Sequence, residues 1–450
     1  MTLTITQLID GQDSETKNSA AQSFHSPWDQ QLLAQWNSAD EMDVIRCLQS
    51  CKKFLALPAG WPKEERQALL ERLKSVIEKN SDSWSAQEAL YQGLPEYFVK
   101  ESSFQHAAYL ASKNIEALKR PSTDQYLNSP SGVIAIITSW NLSFRLVMES
   151  LIPAWAAGNS VIIKVSSRSP ITAQILKNLI QEIQPPLGSI QVLLGEGSKM
   201  GAFLAAHPGV RAVSFVGRTK NAESVIKATA QQFKKLKIRG SVKNAALILP
   251  GFESEADWDR MIESFLIGHG QLGWSLSRLL TTEAEAPKII ERMKEKILKI
   301  KPAQSIKDRS PWGPALNQNL KKEILHTAQE EHAKLFAQDF TGAQFLLDLP
   351  NCSNLQQDEL PAPVFPIVTV KYLHELAKWA NNTSFGNLAV LWGDETKARK
   401  LADKLEFGAL WLNHWMRADD ESPWGLKQSG FGIADNQAEG PFYSDKKLTL

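Results

Sequence analysis

The chain has 450 residues, which is too many for one compact hydrophobic core, so two or three structural units with shared interfaces are expected. Hydrophobic residues make up 43% and charged residues 22% of the chain, and these ordinary shares exclude a largely disordered protein. The 50 basic residues nearly balance the 49 acidic ones, so net charge favours neither nucleic acid nor an anionic membrane as a partner.

The sequence carries no membrane or secretion signal that we can identify. No uninterrupted apolar run approaches the roughly 20 residues that span a bilayer. Residues 1–12 lack the basic and then apolar layout of a signal peptide. We therefore expect a cytoplasmic protein.

The first predicted elements are helices. Between residues 40 and 118, apolar positions recur at spacings of three and four, as in Arg66-Gln-Ala-Leu-Leu-Glu-Arg-Leu-Lys-Ser-Val-Ile77. Cys47 and Cys51 stand four apart in this pattern and so share one helix face. Together with Cys352 they are too few for a disulfide framework, and no further ligand stands in register for a metal. We expect reduced, buried cysteines and no metal site.

Short apolar runs that alternate with helical stretches follow the first helices. They lie at residues 132–138, 160–164, 190–194 and 212–216. Alternation of strands and helices predicts a largely parallel sheet, whose ligand crevice lies at the carboxyl ends of the strands. A second series of the same kind extends from about residue 244 to about 415, beginning at residues 245–249 and ending at 408–413. The pattern predicts two α/β units.

Several segments at the junctions between these elements resemble conserved blocks of one enzyme superfamily. The blocks are Gly132-Val-Ile-Ala-Ile-Ile-Thr-Ser-Trp-Asn141, Ala154-Trp-Ala-Ala-Gly-Asn-Ser-Val-Ile-Ile-Lys164, Phe215-Val-Gly-Arg-Thr219, Asp358-Glu-Leu-Pro-Ala-Pro-Val364, Asn382-Thr-Ser-Phe-Gly386 and Ser422-Pro-Trp-Gly-Leu-Lys-Gln-Ser-Gly430. In this order they resemble the NAD(P)-dependent aldehyde dehydrogenase superfamily over nearly the whole chain.

The resemblance implies an α/β fold with three parts. A Rossmann-like dinucleotide-binding domain would comprise residues 1–118 and 139–237, and a catalytic-type α/β domain would comprise residues 238–430. A short β arm for oligomerisation would comprise residues 119–138 and 431–450. The arm segment from Pro121 to Pro130 looks shorter than that of the family and carries two prolines, which remove strand donors. We expect a homodimer, with a tetramer or a monomer as alternatives.

The resemblance also implies a cofactor site for NAD or NADP. Lys164 corresponds to the lysine that contacts the adenosine ribose, and Trp140 and Glu359 match further cofactor residues, Glu359 that of the nicotinamide ribose. Where the family often has a ribose-binding glutamate, this chain has Ser167 followed by Arg168. Because an arginine can pair with a 2′-phosphate and no carboxylate repels it, NADP is the expected dinucleotide.

The predicted pyrophosphate turn departs from the family pattern. Gly217 is followed by Arg218 where the family has a small hydroxyl residue, and Lys220 adds a second cation to the first turn of the next helix. Both cations oppose the helix dipole unless an anion is bound. Arg218 either holds the phosphates or fills their place, and the sequence leaves both readings open.

The expected nucleophile is missing from its block. The family oxidises aldehydes through a cysteine thiolate, and its block is matched here by Gly268-His-Gly-Gln-Leu-Gly-Trp-Ser-Leu-Ser-Arg278. Gly273 then occupies the cysteine position. Ser275 is the nearest hydroxyl and His269 the nearest candidate base, although a structural role is the commoner fate of such a histidine.

The expected general base is missing as well. The glutamate of the family block aligns with Arg239, and no acidic residue occurs from Gln231 to Phe252, so a slip of the alignment restores none. An arginine cannot take a proton from water at neutral pH. Asn141 matches the oxyanion donor, and an N-cap role is the alternative for it.

The sequence leaves three functions open. The first is a catalytically inactive member of the family that acts as a scaffold, binds a protein partner or senses a small-molecule or dinucleotide ligand. The second is an NAD(P)-dependent oxidoreductase for an aldehyde or semialdehyde with a non-standard mechanism. The third is another reaction class in the same cleft. Trp274, Trp411, Trp415 and Trp424 are expected near the cleft, and core packing is favoured over filling of the substrate tunnel.

Overall fold

The structure is a computed structural model of the chain. It describes residues 2–16, 19, 21–58, 60–120, 126–314, 319–331, 333–336, 344–347, 349, 353–432 and 442–448. Across these ranges, no helix combines the length and the apolar character that crossing a bilayer requires.

The first sheet has eight strands, and its five central strands run parallel. Apolar side chains occupy both faces of the central strands, as expected for a sheet that helices cover on two sides. In spatial order the strands are Gly430–Phe431, Lys235–Arg239, Ala212–Val216, Val133–Ile137, Ser160–Ser166, Ile190–Gly195, Gln7–Ile9 and Gln12–Ser14.

The second sheet has seven strands, and all but its first edge strand run parallel. In spatial order they are Lys334–Phe336, Gln344–Leu347, Val364–Val370, Arg278–Thr282, Ala245–Ile248, Leu388–Trp392 and Ala409–Leu412. The two α/β units that the alternation of strands and helices predicts are therefore present, and each strand that we predicted is found within two residues of its expected bounds.

Helices surround both sheets. They are Glu41–Leu55, Lys63–Gln92, Glu96–Val99, His106–Lys119, Ser143–Ala156, Ile171–Ile183, Ala202–Ala206, Thr219–Thr229, Glu255–Leu266, Ala286–Leu298, Asn319–Glu330, Asn354–Gln357, Leu376–Ala380 and Glu395–Ala402. The helix Glu41–Leu55 begins at a capping box that Asp40 and Asp43 form. It buries Cys47 and Cys51, as predicted, and burial raises the pKa of both thiols, that of Cys51 to about 12. Cys352 lies outside the described residues.

Among the described residues, three smaller sheets accompany the two large ones. One has the strands Leu3–Ile5, Leu32–Asn37 and Ala21–His25, and another pairs Phe385–Gly386 with Leu426–Lys427.

The third small sheet pairs Tyr126–Pro130 with Ser444–Leu448 in antiparallel register. These two segments belong to the predicted arm, so its two halves do meet. Residues 133–137, which we grouped with the arm, form a central strand of the first sheet instead, because their apolar side chains are buried between parallel neighbours. The segment 121–125 lies outside the described residues.

The helix Ser143–Ala156 is buried along its entire length. Its first N–H groups find partners on other helices, since Leu142 N donates to Gln92 Oε1 (2.8 Å), Phe144 N to Glu88 Oε1 (3.0 Å) and Arg145 N to Ser103 Oγ (3.1 Å). A buried helix end needs such partners because water cannot reach it. The start of this helix is therefore fixed by the helices packed against it.

We expect Glu88→Gln to change how stability depends on pH. Burial raises the pKa of Glu88 from 4.5 to about 7. A carboxyl with a raised pKa takes up a proton on folding, so its contribution to stability is fully present below its unfolded pKa and is lost as the pH rises through the folded pKa. Glutamine does not ionise, so the variant should gain stability relative to the parent from about pH 5 to about pH 7.5, by on the order of 3 kcal/mol. Urea unfolding across this range measures the difference, and a difference independent of pH would contradict the prediction.

Candidate functional site

One cleft brings most of the predicted site residues together. It lies at the carboxyl ends of the parallel strands Val133–Ile137, Ala212–Val216 and Lys235–Arg239, where the first sheet faces the second unit. The predicted residues that line it are Trp140, Asn141, Arg168, Gly217, Arg218, Arg239, Gly273 and Glu359. The cleft is thus at the sheet edge that the strand pattern predicts.

The turn that carries Gly273 is shaped by left-handed backbone. Gly268, His269 and Gly270 have φ angles of 62°, 56° and 71°, and a Cβ on Gly270 would lie 2.9 Å from the carbonyl oxygen of Ala362. Gly273 differs from these residues, because a Cβ placed there would meet no atom within 4 Å. Gly270 is therefore required by the fold, whereas Gly273 leaves open space in the cleft.

Asn244 fixes the Gly273 turn, a role that the sequence did not reveal. Its Nδ2 donates to the carbonyl oxygens of Gly273 (3.0 Å) and Ser275 (2.9 Å). Its Oδ1 accepts from the backbone N–H of Leu388 (3.1 Å) and from Asn387 Nδ2 (3.2 Å). Asn244 is completely buried. Through these hydrogen bonds its side-chain amide links two strands of the second sheet to the turn.

We expect Asn244→Ala to lower the free energy of unfolding by about 1–3 kcal/mol, because the buried carbonyl oxygen of Ser275 and the buried N–H of Leu388 lose their hydrogen bonds to it, while Gly273 O keeps only the bond from Asn387 Nδ2. Thermal and urea unfolding measure the loss. Asn80→Ala is a suitable control, since the Asn80 amide bonds within a half-exposed part of its helix and to Glu182 at the surface. Equal losses in the two variants would contradict the role assigned to Asn244.

Arg239, at the expected base position, forms an ion pair with a buried carboxylate. Arg239 Nη2 lies 2.6 Å from Glu149 Oε2, and the Arg239 side chain is 13% exposed while that of Glu149 is fully buried. Arg145 Nε donates to Glu149 Oε1 at 2.8 Å. Burial alone would raise the pKa of Glu149, but Arg239, His106 and Arg145 hold it well below its usual range. The cleft thus presents a cation that is held by an ionised glutamate beneath it.

Arg145 ties this ion cluster to other elements. Its Nη1 donates to the carbonyl oxygen of Ser102 (2.8 Å) and its Nη2 to Ser422 Oγ (3.0 Å). Its guanidinium carbon lies 4.9 Å from the ring centroid of Trp274, a cleft-lining residue. A fully buried arginine is tolerated here because its donors are engaged.

His269 and Ser275 do not form a nucleophile and base pair. The His269 ring packs on Trp312, with centroids 4.1 Å apart, and its Nε2 contacts the carbonyl oxygen of Gly313. Ser275 Oγ donates to the carbonyl oxygen of Ile267 (3.4 Å). His269 therefore has the structural role that we considered the commoner one. No three His, Cys, Asp or Glu side chains are grouped as metal ligands within the part of the chain that the structure describes.

Asn141 lines the cleft and contacts the turn that carries Gly273. Its Nδ2 donates to the carbonyl oxygen of Gln271 at 3.1 Å, and its Oδ1 accepts from Ser139 Oγ. The N-cap position of the following helix is occupied by Leu142, in left-handed backbone and without a side-chain cap. The alternative N-cap role of Asn141 is therefore wrong, and the residue faces the cleft.

Lys164 lies at the carboxyl end of the strand Ser160–Ser166, only 4% exposed. Burial lowers the pKa of its ammonium to about 8, while the charge of Glu196 acts in the opposite direction. A buried ammonium at a strand end is stabilised by oxygen acceptors. Arg168 follows on the exposed side and lines the cleft, and Ser167 between them is half-buried.

The turn at Gly217 is open to solvent. Arg218 precedes the helix Thr219–Thr229 and its side chain is exposed, so it lines the cleft without being packed into it. Thr219 N donates to Ser241 Oγ at 3.2 Å. The same Ser241 hydroxyl lies 2.8 Å from Glu359 Oε2, and Val242 N donates to Glu359 Oε1 at 3.3 Å. The Val242 N–H and the Ser241 hydroxyl therefore hold the Glu359 carboxylate at the cleft.

The tryptophans mostly pack in the core, as expected. Trp415 is completely buried and donates from Nε1 to the carbonyl oxygen of Trp274 (2.8 Å), and Trp411 is buried as well. Trp274 is 4% exposed and lines the cleft, whereas Trp424 is 44% exposed.

Comparison with known proteins decides the family. The sequence model of the aldehyde dehydrogenase family matches residues 14–448. The chain belongs to the aldehyde dehydrogenase family. Among curated members, it is 25% identical over 462 residues to 2-hydroxymuconic semialdehyde dehydrogenase of Pseudomonas sp., with 94% of each protein covered. It is also 25% identical over 465 residues to betaine aldehyde dehydrogenase of Bacillus subtilis, covering 95% of this chain and 93% of that protein.

Solved structures confirm the α/β fold of the aldehyde dehydrogenase family. The NADP-dependent glyceraldehyde-3-phosphate dehydrogenase of Bacillus halodurans superposes with a TM-score of 0.90 at 20% identity, covering 99% of both chains. The indole-3-acetaldehyde dehydrogenase of P. syringae, solved with NAD⁺, superposes with a TM-score of 0.88 at 25% identity, covering 99% of this chain and 97% of that one.

Glu149 and Arg145, like Asn244, are residues of this family member that sequence reasoning missed. A signal was present, because the two charges stand four apart inside the apolar run that forms the helix Ser143–Ala156. A charged pair within an otherwise apolar helix indicates buried ionic partners. The pattern could not indicate that Arg239 is one of them.

Proposed function

We propose that this member of the aldehyde dehydrogenase family binds a dinucleotide in its cleft as a ligand-sensing protein and does not oxidise aldehydes through a covalent thiol intermediate. The family resemblance aligns Gly273 with the nucleophile and Arg239 with the general base. Among the described residues that line the cleft, no cysteine is present. The proposal therefore has two parts: the dinucleotide-binding site is retained, and the thiol-dependent oxidation of aldehydes is lost.

The Arg239–Glu149 ion pair is the observation that carries the proposal. Glu149 supports the cation with a fully buried carboxylate, and Arg145 completes the cluster from the same helix. A guanidinium carries its proton at neutral pH and so cannot act as a base toward water. Burying one of these charges alone would be costly, so the charges stabilise one another. The position of the expected general base is therefore occupied by a cation that the cluster holds in place.

Arg168 and Arg218, which line the cleft, and Lys164, which stands four residues before Arg168 and outside the lining, fit a dinucleotide. The buried Lys164 ammonium suits ribose hydroxyls, and the exposed Arg168 suits a phosphate. Arg218 is exposed, so it can swing to hold a pyrophosphate at the N-terminus of the helix Thr219–Thr229. A bound dinucleotide would supply hydride acceptance, while the residues of this chain would bind and orient it.

We expect NADP to bind more tightly than NAD, by about tenfold or more, because Arg168 can pair with the 2′-phosphate. Calorimetric titration with each dinucleotide measures both affinities. Arg168→Ala should weaken NADP binding and leave NAD binding unchanged. Arg399→Ala is a matched control, since Arg399 pairs with Glu395 on a surface helix. Tighter binding of NAD than of NADP would contradict the assignment of Arg168.

A second titration tests the opposite reading of Arg218. If the parent binds neither dinucleotide and Arg218→Ser binds one, the arginine blocks the site and the dinucleotide half of the proposal is wrong.

An aldehyde and semialdehyde screen with both dinucleotides tests whether the protein oxidises aldehydes. We expect turnover to be lower than that of thiol-dependent relatives by on the order of 10⁵. Dinucleotide reduction that a change at Asn141 or Arg239 abolishes would overturn the inactive assignment in favour of a non-standard oxidoreductase.

A further inference from the structure

The buried cluster at the inner end of the cleft carries an excess positive charge. It contains the guanidinium groups of Arg145 and Arg239, the carboxylate of Glu149 and the imidazole of His106. Burial lowers the pKa of His106, which favours the neutral form of its ring. Two guanidinium groups then share one carboxylate. Because an isolated excess charge is costly to bury, an additional anion at this place would be stabilising.

Asp420, a further carboxylate whose charge acts on Arg145, is already engaged. Asp420 Oδ1 lies 2.9 Å from His414 Nε2, and Asp420 Oδ2 accepts from the backbone N–H of Arg417 at 2.7 Å. The hydrogen bond to Asp420 raises the pKa of His414, which shows that this acid is paired with the histidine. Asp420 thus offsets the Arg145 charge only at longer range.

Arg239 is the member of the cluster that reaches the cleft. Within the described structure, its Nε and Nη2 are buried and make no aligned hydrogen bond, although Nη2 is in ionic contact with Glu149. Its side chain lines the same cleft as Gly273, where a Cβ on Gly273 would enter open space without meeting any atom within 4 Å. A guanidinium has five N–H donors, and the exposed 13% of the Arg239 side chain lines the cleft, so Arg239 retains donors for an acceptor placed there.

The other charged residues that line the cleft also favour a negatively charged ligand. The charged side chains among its described lining residues are Arg168, Arg218, Arg239 and Glu359. Glu359 is the single acid among them, and its oxygens already accept from Ser241 Oγ and Val242 N. A concave site lined mainly by cations concentrates anions.

We infer that the space between Arg239 and Gly273 binds the oxyanion group, carboxylate or phosphate, of a small ligand. The inference rests on the proposed ligand-binding function and names the chemistry of the ligand at the inner end of the cleft. Glu149 is a positioning residue, since it holds the Arg239 guanidinium from beneath. The planar guanidinium offers paired donors to a planar carboxylate or to two phosphate oxygens.

Calorimetric titration of the whole chain with sodium propionate, inorganic phosphate and propionamide tests the inference. We expect at least one anion to bind and the neutral amide, which has the shape of propionate, not to bind. Arg239→Gln should weaken anion binding by at least about tenfold. Arg260→Gln is the matched control, because Arg260 pairs with Glu101 and Glu263 away from the cleft, and it should bind like the parent.

Repeating the propionate and phosphate titrations in saturating NADP distinguishes the sources of the oxyanion. Unchanged affinity identifies a subsite for a separate small ligand, and competition identifies the phosphates of the dinucleotide as the oxyanion bound there. Circular dichroism of Arg239→Gln checks that it folds, and Arg239→Lys, which keeps the charge, should retain part of the affinity.

Three results would overturn the inference: equal binding of propionamide and propionate, unchanged anion binding in folded Arg239→Gln, or no binding of either anion up to roughly 10 mM, a concentration at which even weak sites fill. Anion binding without any dinucleotide binding would overturn only the dinucleotide part of the proposed function. Dinucleotide binding without anion binding at Arg239 would overturn only the inference.

Discussion

Replacing Glu149 with glutamine is expected to lower the free energy of unfolding by about 3–5 kcal/mol, because it leaves two buried guanidinium groups without their shared carboxylate. Arg145 and Glu149 are fully buried, and Arg239 is 13% exposed, so water cannot replace the lost charge. Urea unfolding followed by far-ultraviolet circular dichroism measures the loss.

Glu182→Gln is the control for this prediction. Glu182 pairs with Lys79 at the surface, where both side chains are at least 36% exposed, and such pairs contribute at most about 1 kcal/mol. The double variant Glu149→Gln with Arg239→Gln should be more stable than Glu149→Gln alone, since it removes one of the uncompensated charges. If Glu149→Gln loses no more stability than the control, the cluster does not stabilise the fold as described.

Replacing Gly273 with cysteine is expected to create a folded protein with one additional, rapidly reacting thiol. The new side chain enters open space, because a Cβ on Gly273 has no neighbour within 4 Å and the residue is not in left-handed backbone. Arg239 lines the same cleft, and a nearby cation lowers the pKa of a thiol and raises the fraction of reactive thiolate. Titration with a chromogenic disulfide under native conditions measures the number of reactive thiols and their reaction rate in the variant and in the parent.

Ser275→Cys is the matched control for Gly273→Cys. Ser275 is two residues away but is 1% exposed and donates to the carbonyl oxygen of Ile267, so a thiol there should react far more slowly. Equal reactivity of the two thiols would show that Gly273 is not the open position of the cleft.

The cysteine variant also tests the assignment of Arg239. With an aldehyde and a dinucleotide, we expect Gly273→Cys to reduce no more than one equivalent of dinucleotide per chain, because Arg239 cannot activate the water that would release an acyl group from the thiol. Repeated turnover would mean that another group serves as the base. Rapid quenching followed by mass spectrometry detects an acylated Gly273→Cys chain directly.

Local patterns predicted the elements better than they predicted the contacts between them. The strands at residues 133–137 and 212–216 could be predicted because each is a short apolar run bounded by turn residues and helices. The assignment of residues 133–137 to the arm was wrong, since a boundary between units depends on which neighbours a strand pairs with. The N-cap alternative for Asn141 was wrong for a similar reason, because the helix begins at Ser143 with Leu142 as its N-cap residue, and side chains from other helices cap its first N–H groups.

The sequence by itself determined the family blocks, the parallel sheets, and the absence of a side chain at Gly273 and of an acid at Arg239. These features depend on residue identity and on spacing along the chain. Only the tertiary structure decided what surrounds these two positions: Glu149 beneath Arg239 and Asn244 behind the Gly273 turn. The physical reason is that a buried charge or amide must find partners in space, and here the partners come from elements 90 and 29 residues away in the chain.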